Sequence, residues 1–254
     1  MPPNSDKGSA VSAGRASRPV ERRSHPRVAR IGVRFLRQLF VVGSGLLAYS
    51  LVRGATQGKP ALAVRNAHRL LDVERFLGLA WERMLQDGVI RSRGATMLLN
   101  GIYIYGHWPV IAVTLGWLLT RHPAVFVRTR NAMLASGAVG LVFFITFPVA
   151  PPRLAELGLV DTVTAQSHAY RLLQPPTLTD QYAAMPSLHV GWNLLLALAI
   201  ATTAERTWQR AAAMAMPVVM TAAVVLTANH YILDAAVGAA LTGSAWLLTG
   251  RIRR

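Results

Sequence analysis

Long apolar runs separated by short polar connections recur along most of this chain. A helix that crosses a hydrocarbon core of about 30 Å needs about 20 mostly apolar residues. Six stretches approach this length, and they lie at residues 35–52, 95–119, 131–150, 185–204, 211–229 and 231–250. The pattern predicts an all-α, polytopic membrane protein built as a bundle of six transmembrane helices.

The interval between the first two runs has a different pattern. In residues 61–87, apolar side chains recur at roughly helical spacing among charged ones. This arrangement predicts an amphipathic helix that lies in the membrane interface. An ordinary amphipathic helix packed on the bundle fits the same pattern, and the sequence does not separate the two.

The first thirty residues contain Ser, Pro, Gly and Arg but few large apolar side chains. Such a segment cannot bury enough apolar surface to offset its ordering entropy, so residues 1–30 are predicted to be a disordered basic tail on the cytoplasmic side. Because this polar stretch comes before any apolar run, the first run is interpreted as a retained helix rather than a signal peptide. Residues 31–254 are then one membrane-embedded domain.

Composition and charge narrow the class of protein. The chain is 52% apolar and only 15% charged, which is more hydrophobic surface than one soluble core would bury, and it contains no cysteine. The net charge of +16 does not indicate nucleic-acid binding, because the basic residues flank the apolar runs. Most of them fall in segments that would share one side, which predicts cytoplasmic N- and C-termini.

Three polar clusters lie where apolar runs begin or end: Ala150 to Arg153, Met185 to His189, and Asn229 to Asp234. The predicted topology places all three on the extracytoplasmic face. His230 and Asp234 are four residues apart, so on a helix they share a face, and a carboxylate there can hold an imidazole in one tautomer. Ionisable groups at such positions in a membrane protein are candidates for function.

These residues resemble the type 2 phosphatidic acid phosphatase (PAP2) superfamily of membrane lipid phosphatases and phosphotransferases, and within it the inositol phosphorylceramide synthase-like (inositolphosphotransferase) branch. The similarity covers roughly residues 60 to 250. It rests on Pro186-Ser187-Leu188-His189, on His230 with Asp234, on Asn100, Tyr103, His107 and Pro109, and on Phe147 to Arg153.

The resemblance implies a role for each matching residue. His230 would attack phosphorus to give a phosphohistidine, Asp234 would orient it, and His189 would protonate the leaving alkoxide. Ser187, the amides beside it and Arg153 would bind phosphate oxygens. The resemblance requires no metal and no cofactor.

Two departures from the family pattern are visible. Val224 and Val225 stand where a Ser-Arg pair usually precedes the nucleophile, and the first phosphatase signature, a Lys followed by Arg-Pro, is not cleanly present. Loss of these cations resembles the inositol phosphotransferase branch. The expected substrates are therefore a phospholipid or other lipid phosphate as donor and an alcohol such as inositol as acceptor, with hydrolysis of a phospholipid or prenyl (pyro)phosphate as the alternative.

Several alternatives stay open at this point. Asn100, Tyr103 and His107 would share one helical face, where they could line a substrate cleft or make interhelical hydrogen bonds. Two histidines and an aspartate are also a zinc-ligand set, although the resemblance favours catalysis without a metal. A transporter would instead place its polar residues near mid-membrane and show inverted repeats. Three further histidines, His68, His122 and His168, are expected to have no catalytic role.

Overall fold

The computed structural model describes residues 59–163 and 182–251, together with positions 40, 41, 43–45 and 47. The chain divides into two units, Met1–Ser44 and Gly45–Arg254. In the first unit the described positions are helical, and the Ser44 hydroxyl donates to the carbonyl of Phe40. The predicted tail at 1–30, most of the predicted first span and His168 lie outside the described residues.

The second unit is mainly helical in its described part. Its helices are α1 (Pro60–Leu77), α2 (Glu82–Ile90), α3 (Arg93–Tyr105), α4 (Trp108–Arg121), α5 (Pro123–Thr146), α6 (Leu188–Thr203), α7 (Thr207–Leu226) and α8 (Ile232–Arg251), with a 3₁₀ turn at Pro152–Leu154. Two extended segments meet in one isolated bridge between Val149 and Ala183. The prediction of an all-α chain is confirmed for these residues.

Three of these helices, α5, α7 and α8, are long and apolar enough to cross a membrane. The pair α3 and α4 would make a fourth span if its two bent halves count as one. α6 is apolar but has only 16 residues, which corresponds to about 24 Å at 1.5 Å per residue. The described part of the chain therefore has three or four candidate spans, and the predicted count of six is not obtained.

The predicted single helix at 95–119 is broken in two. α3 ends at Tyr105 and α4 begins at Trp108, and the two axes differ by 44°. Pro109 explains the break, because it has no N–H to donate to the Tyr105 carbonyl and its ring disfavours a continuous helix. The proline is visible in the sequence, so the bend was predictable.

The connection between the predicted stretches at 95–119 and 131–150 is shorter than those bounds imply. Only His122 separates α4 from α5, because Pro123 occupies the first position of the new helix. Arg128 consequently lies inside α5, where its guanidinium is 3.8 Å from the ring centroid of Trp246 and donates to the Trp246 carbonyl at 2.9 Å. This contact joins α5 to the last turns of α8.

The predicted interfacial helix at 61–87 consists of two helices. Gly78 ends α1 in the left-handed conformation, with φ of 70°. The inner face of α1, including Ala63 and Ala67, is buried, whereas Phe76 at the end of α1 and Met84 on α2 are 89% and 67% exposed. The segment therefore packs on the bundle as the alternative expected, and it also presents apolar side chains outward.

α6 and α8 cross closely because each has a glycine at the crossing. A Cβ on Gly191 of α6 would come within 2.7 Å of the Gly238 carbonyl oxygen and 2.6 Å of the Thr242 side chain. A Cβ on Gly238 of α8 would overlap the backbone of Ser187. This approach places the start of α6 beside the first turns of α8, and these two helix starts carry the candidate site.

Candidate active site

A tight turn between α7 and α8 places His230. Ala228 adopts the left-handed conformation, with φ of 55°. The amides of Asn229 and His230 both donate to the carbonyl of Val224, at 2.9 and 3.1 Å. The chain therefore reverses within a few residues and delivers His230 immediately before the first turn of α8.

Two acceptors surround the Nδ1 atom of His230. The Ala184 carbonyl oxygen lies 2.8 Å away, and the Oδ2 atom of Asp234 lies 3.5 Å away. A carbonyl oxygen can only accept a hydrogen bond, so this contact requires a proton on Nδ1. In the neutral ring the lone pair then lies on Nε2.

Asp234 is fully buried and has two partners on one oxygen. Its Oδ2 atom accepts from the amide of Tyr231 at 3.0 Å and faces His230 Nδ1. Asp234 is the third residue of α8, where a carboxylate that reaches back to the residue before the helix is stabilised by the helix dipole. Within the described residues its Oδ1 atom has no hydrogen-bond partner.

His189 lies at the start of α6 in a group of aromatic rings. Its ring centroid is 5.6 Å from that of His230 and 4.1 Å from that of His107. Tyr103 stacks on His189 at 4.8 Å. In the described part of the chain, the Nε2 atom of His189 and the Nδ1 atom of His107 are buried without a hydrogen-bond partner.

Arg153 is held across the α7–α8 turn. Its Nη1 atom donates to Asn229 Oδ1 at 2.9 Å, and its backbone amide donates to the Ala228 carbonyl at 3.0 Å. The Nε atom lies 3.3 Å from Asp161 Oδ2. The predicted cluster from Ala150 to Arg153 is therefore fixed to Asn229, the residue that precedes His230, and the carboxylate of Asp161 partly balances the charge of Arg153.

Ser187 forms the N-cap of α6. Its hydroxyl accepts from the Val190 amide at 3.5 Å, and its own amide donates to the Asp234 carbonyl at 3.0 Å. The side chain is fully buried. In this structure Ser187 thus joins the starts of α6 and α8, and the first-turn amides of α6 lie next to it.

Asn100, Tyr103 and His107 do not share one helix as predicted, because His107 lies beyond the end of α3. The Asn100 amide nitrogen donates to the Thr162 carbonyl at 2.9 Å, and its oxygen accepts from the Thr162 hydroxyl at 3.1 Å. These bonds favour the hydrogen-bonding alternative for Asn100. Tyr103 and His107 instead pack against the ring of His189.

Two buried acids at the site were not anticipated. Glu74 of α1 accepts from the Leu233 amide at 2.7 Å, and Glu82 of α2 accepts from the Ile232 amide at 3.1 Å. They are 0% and 3% exposed. In the sequence both look like polar positions of an amphipathic segment, and they meet α8 across 159 and 150 positions. No local pattern indicates such a contact.

Burial changes the acid–base properties of this region. The carboxyl pKa of Glu74 is raised from 4.5 to about 8, chiefly by burial and further by the negative charges of Glu82 and Asp234, against the lowering effect of the Leu233 amide. Burial and the same three carboxyl groups raise the pKa of the Tyr231 hydroxyl. Within the described residues, no group of three or more His, Asp or Glu side chains is arranged to hold a metal ion.

Fold and site together define a class: an all-helical protein with several apolar helices of a membrane protein, and with histidines, an aspartate and an arginine gathered at one end of its bundle. A family model described as the PAP2 superfamily matches residues 68–248. The chain belongs to the PAP2 superfamily, whose members are typically phosphatases or phosphotransferases of lipid phosphates. No curated protein and no solved structure matches it individually.

Proposed function

We propose that this protein is a lipid phosphotransferase that forms a phosphohistidine on His230. The observation that carries the proposal is the contact of 2.8 Å between His230 Nδ1 and the Ala184 carbonyl oxygen. Since it holds the proton on Nδ1, it leaves Nε2 as the attacking nitrogen. Asp234, at 3.5 Å, stabilises the positive charge that the ring gains on attack.

The reaction has two balanced steps. In the first, His230 Nε2 forms a bond to phosphorus while the bond from phosphorus to the leaving oxygen breaks, and protonated His189 gives its proton to that oxygen. In the second, the hydroxyl of an alcohol attacks phosphorus, the bond between nitrogen and phosphorus breaks, and His189 takes the proton of the alcohol. The two ring centroids lie 5.6 Å apart, which is close enough for one transferring group to contact both histidines.

The phosphate oxygens would be bound by Arg153 and by the first-turn amides of α6 beside Ser187. A helix start favours an anion through its unsatisfied N–H groups and its dipole. Arg153 reaches the turn through Asn229, and its guanidinium would stabilise charge that develops on the transferring group. Tyr103 and His107 would complete the wall of the site around His189.

Transfer of a phosphodiester-linked headgroup, such as inositol phosphate, suits the charges of this site. Val224 and Val225 are buried in the apolar core at the positions where phosphatases of the family carry a Ser-Arg pair. A phosphomonoester carries nearly two negative charges, whereas a phosphodiester carries one, so it needs fewer cations. Hydrolysis would follow the same first step, with water as the acceptor.

Product analysis tests this proposal. Purified protein in detergent is given a pool of phosphatidic acid, a prenyl pyrophosphate and phosphatidylinositol, with and without added inositol, and the products are identified by mass spectrometry. A new headgroup ester, or inositol phosphate that forms only when inositol is added, indicates transfer. Free phosphate, or inositol phosphate that forms without added inositol, indicates hydrolysis. His230→Ala should abolish either product, and His68→Ala, which replaces an exposed histidine of α1, should not. Activity that survives in His230→Ala would overturn the mechanism.

The proposal also places the site on the extracytoplasmic side, with both termini in the cytoplasm. The chain has no cysteine, so single-cysteine variants can be labelled without background. Val160→Cys lies near Arg153, and Trp208→Cys lies at the other end of α7; these side chains are 47% and 63% exposed. In right-side-out vesicles, a membrane-impermeant maleimide should label the first variant and not the second. The reverse labelling would invert the topology.

A further inference from the structure

Three carboxyl groups accept the N–H groups at the start of α8. Asp234 accepts from Tyr231 at 3.0 Å, Glu82 from Ile232 at 3.1 Å and Glu74 from Leu233 at 2.7 Å. Helix starts are usually capped by a neighbouring Ser, Thr, Asp or Asn, or by water. Here two of the three acceptors come from α1 and α2, far away in the sequence.

This arrangement lowers the stability of the fold, because Glu74 and Asp234 are fully buried and Glu82 is almost fully buried. A buried carboxyl group lowers stability unless hydrogen bonds compensate it. In the described part of the chain, Glu74 Oε2 and Asp234 Oδ1 lack a hydrogen-bond partner altogether. Apolar residues at positions 74 and 82 would avoid this cost, so packing alone does not account for two acids here.

The location of the hydrogen bonds that Glu74 and Glu82 accept indicates which part of the structure they stabilise. The amides of Ile232 and Leu233 belong to the first turn of α8, directly after His230. The same turn carries Asp234, whose Oδ2 atom contacts both the Tyr231 amide and the His230 ring. If this turn moves, the carboxylate and the imidazole lose their alignment together.

We infer that Glu74 and Glu82 are positioning residues for His230: by accepting the Leu233 and Ile232 amides, they fix the first turn of α8 and thereby the alignment of Asp234 with the His230 ring. This inference rests on the proposed function and adds α1 and α2 to the site. The amphipathic segment that contains α1 and α2 is then a structural part of the proposed active site, and it does more than contact the membrane.

The test separates hydrogen bonding from charge at position 74. Glu74→Gln keeps the length of the side chain and a carbonyl oxygen that can accept from Leu233, but it removes the acid. Glu74→Asp keeps the acid and is one methylene too short to reach the amide. The inference expects Glu74→Asp to lower kcat by about ten- to a hundred-fold, the range found when outer partners of metal-ligating histidines are removed, with KM within about two-fold. Glu74→Gln should retain much more of kcat than Glu74→Asp.

The assays use the full-length protein in mixed micelles of phosphatidic acid and phosphatidylinositol, with inositol added as the alcohol acceptor. The matched control is Asp72→Ala, which removes an acid of α1 whose side chain is 69% exposed and which should keep the wild-type kcat. The same substitutions at Glu82 provide a second, independent pair. A wild-type kcat in Glu74→Asp, or a higher kcat in Glu74→Asp than in Glu74→Gln, would overturn the inference.

A second measurement does not depend on any lipid substrate. Hydrogen exchange followed by mass spectrometry should show faster exchange of the amides of Ile232 and Leu233 in Glu74→Asp than in Glu74→Gln, with the rest of α8 unchanged. If the wild-type protein transfers nothing from either lipid, the proposed function fails, while the exchange data still decide whether Glu74 holds this turn. Unchanged exchange in Glu74→Asp counts against the inference whatever the activity.

Discussion

The Nδ1 atom of His230 lies closer to the backbone carbonyl oxygen of Ala184, at 2.8 Å, than to the carboxylate of Asp234 at 3.5 Å. The aspartate was expected to orient this ring, yet the nearer acceptor belongs to the extended segment before α6. A backbone carbonyl cannot take a proton near neutral pH, so it fixes the tautomer without competing for the proton. Asp234 is left to balance the charge that develops on the ring.

This geometry predicts the protonation of His230 in the resting protein. Nitrogen NMR of histidine-labelled protein should show the neutral His230 ring with hydrogen on Nδ1 and none on Nε2. The His230→Ala spectrum assigns the signal. A ring protonated on Nε2 would contradict the contact with Ala184 and would remove the lone pair from the proposed attacking nitrogen.

Arg153 is expected to contribute to transfer rather than to binding of the lipid chains. Its removal should lower kcat/KM by about a hundred- to a thousand-fold, as loss of one preorganised donor to a developing charge does elsewhere. Arg153→Lys should retain only part of the wild-type kcat/KM. A lysine lacks the planar guanidinium that can donate to Asn229 and to a phosphate oxygen at the same time. The comparison is Arg91→Ala, at an exposed position. An unchanged kcat/KM in Arg153→Ala would show that Arg153 does not take part in the reaction.

Much of the site was predictable from sequence because its residues occur in short motifs at helix ends. The order of apolar runs placed the clusters around Arg153, His189 and His230 at one end of the bundle. The structure brings these clusters together, with Arg153 bonded to Asn229 and the two histidine rings 5.6 Å apart. The spacing of residues within such a motif can be read from the sequence without any knowledge of tertiary contacts.

Other features were not predictable because they depend on contacts between distant segments. The partners of Glu74 and Glu82 lie 159 and 150 positions away, and the acceptor for His230 is a backbone carbonyl 46 positions away, with no side-chain signal. The predicted count of six spans is not confirmed, because most of the first predicted span lies outside the described residues and because hydropathy registers neither the break at Pro109 nor the shortness of α6.

The close crossing of α6 and α8 gives a prediction about folding. An alanine at Gly238 would drive its Cβ into the backbone of Ser187, which cannot move without disturbing the start of α6. We expect Gly238→Ala to lower the free energy of unfolding by about 1–3 kcal/mol, the usual cost of overpacking, and to lower activity with it. Gly243→Ala is the matched control, because a Cβ there meets nothing within 4 Å and alanine favours a helix. Thermal unfolding in detergent measures both, and equal stability of the two variants would argue against the tight crossing.

The raised pKa of Glu74 makes stability depend on pH in a defined direction. Its carboxyl pKa is 4.5 in the unfolded chain and about 8 in the folded protein, so the folded state binds the proton more tightly between these values. The stabilisation is complete below about pH 4.5 and is lost as the pH rises through about 8, where the buried group must ionise beside Glu82 and Asp234. Glu74→Gln stays neutral, so its melting temperature should fall less than that of the wild-type protein between mildly acidic and alkaline pH. Asp72→Asn, at the exposed acid on the same helix, should follow the wild-type curve. If the melting temperatures of Glu74→Gln and the wild-type protein change with pH in parallel, the pKa of Glu74 is not raised and its burial does not destabilise the protein at alkaline pH.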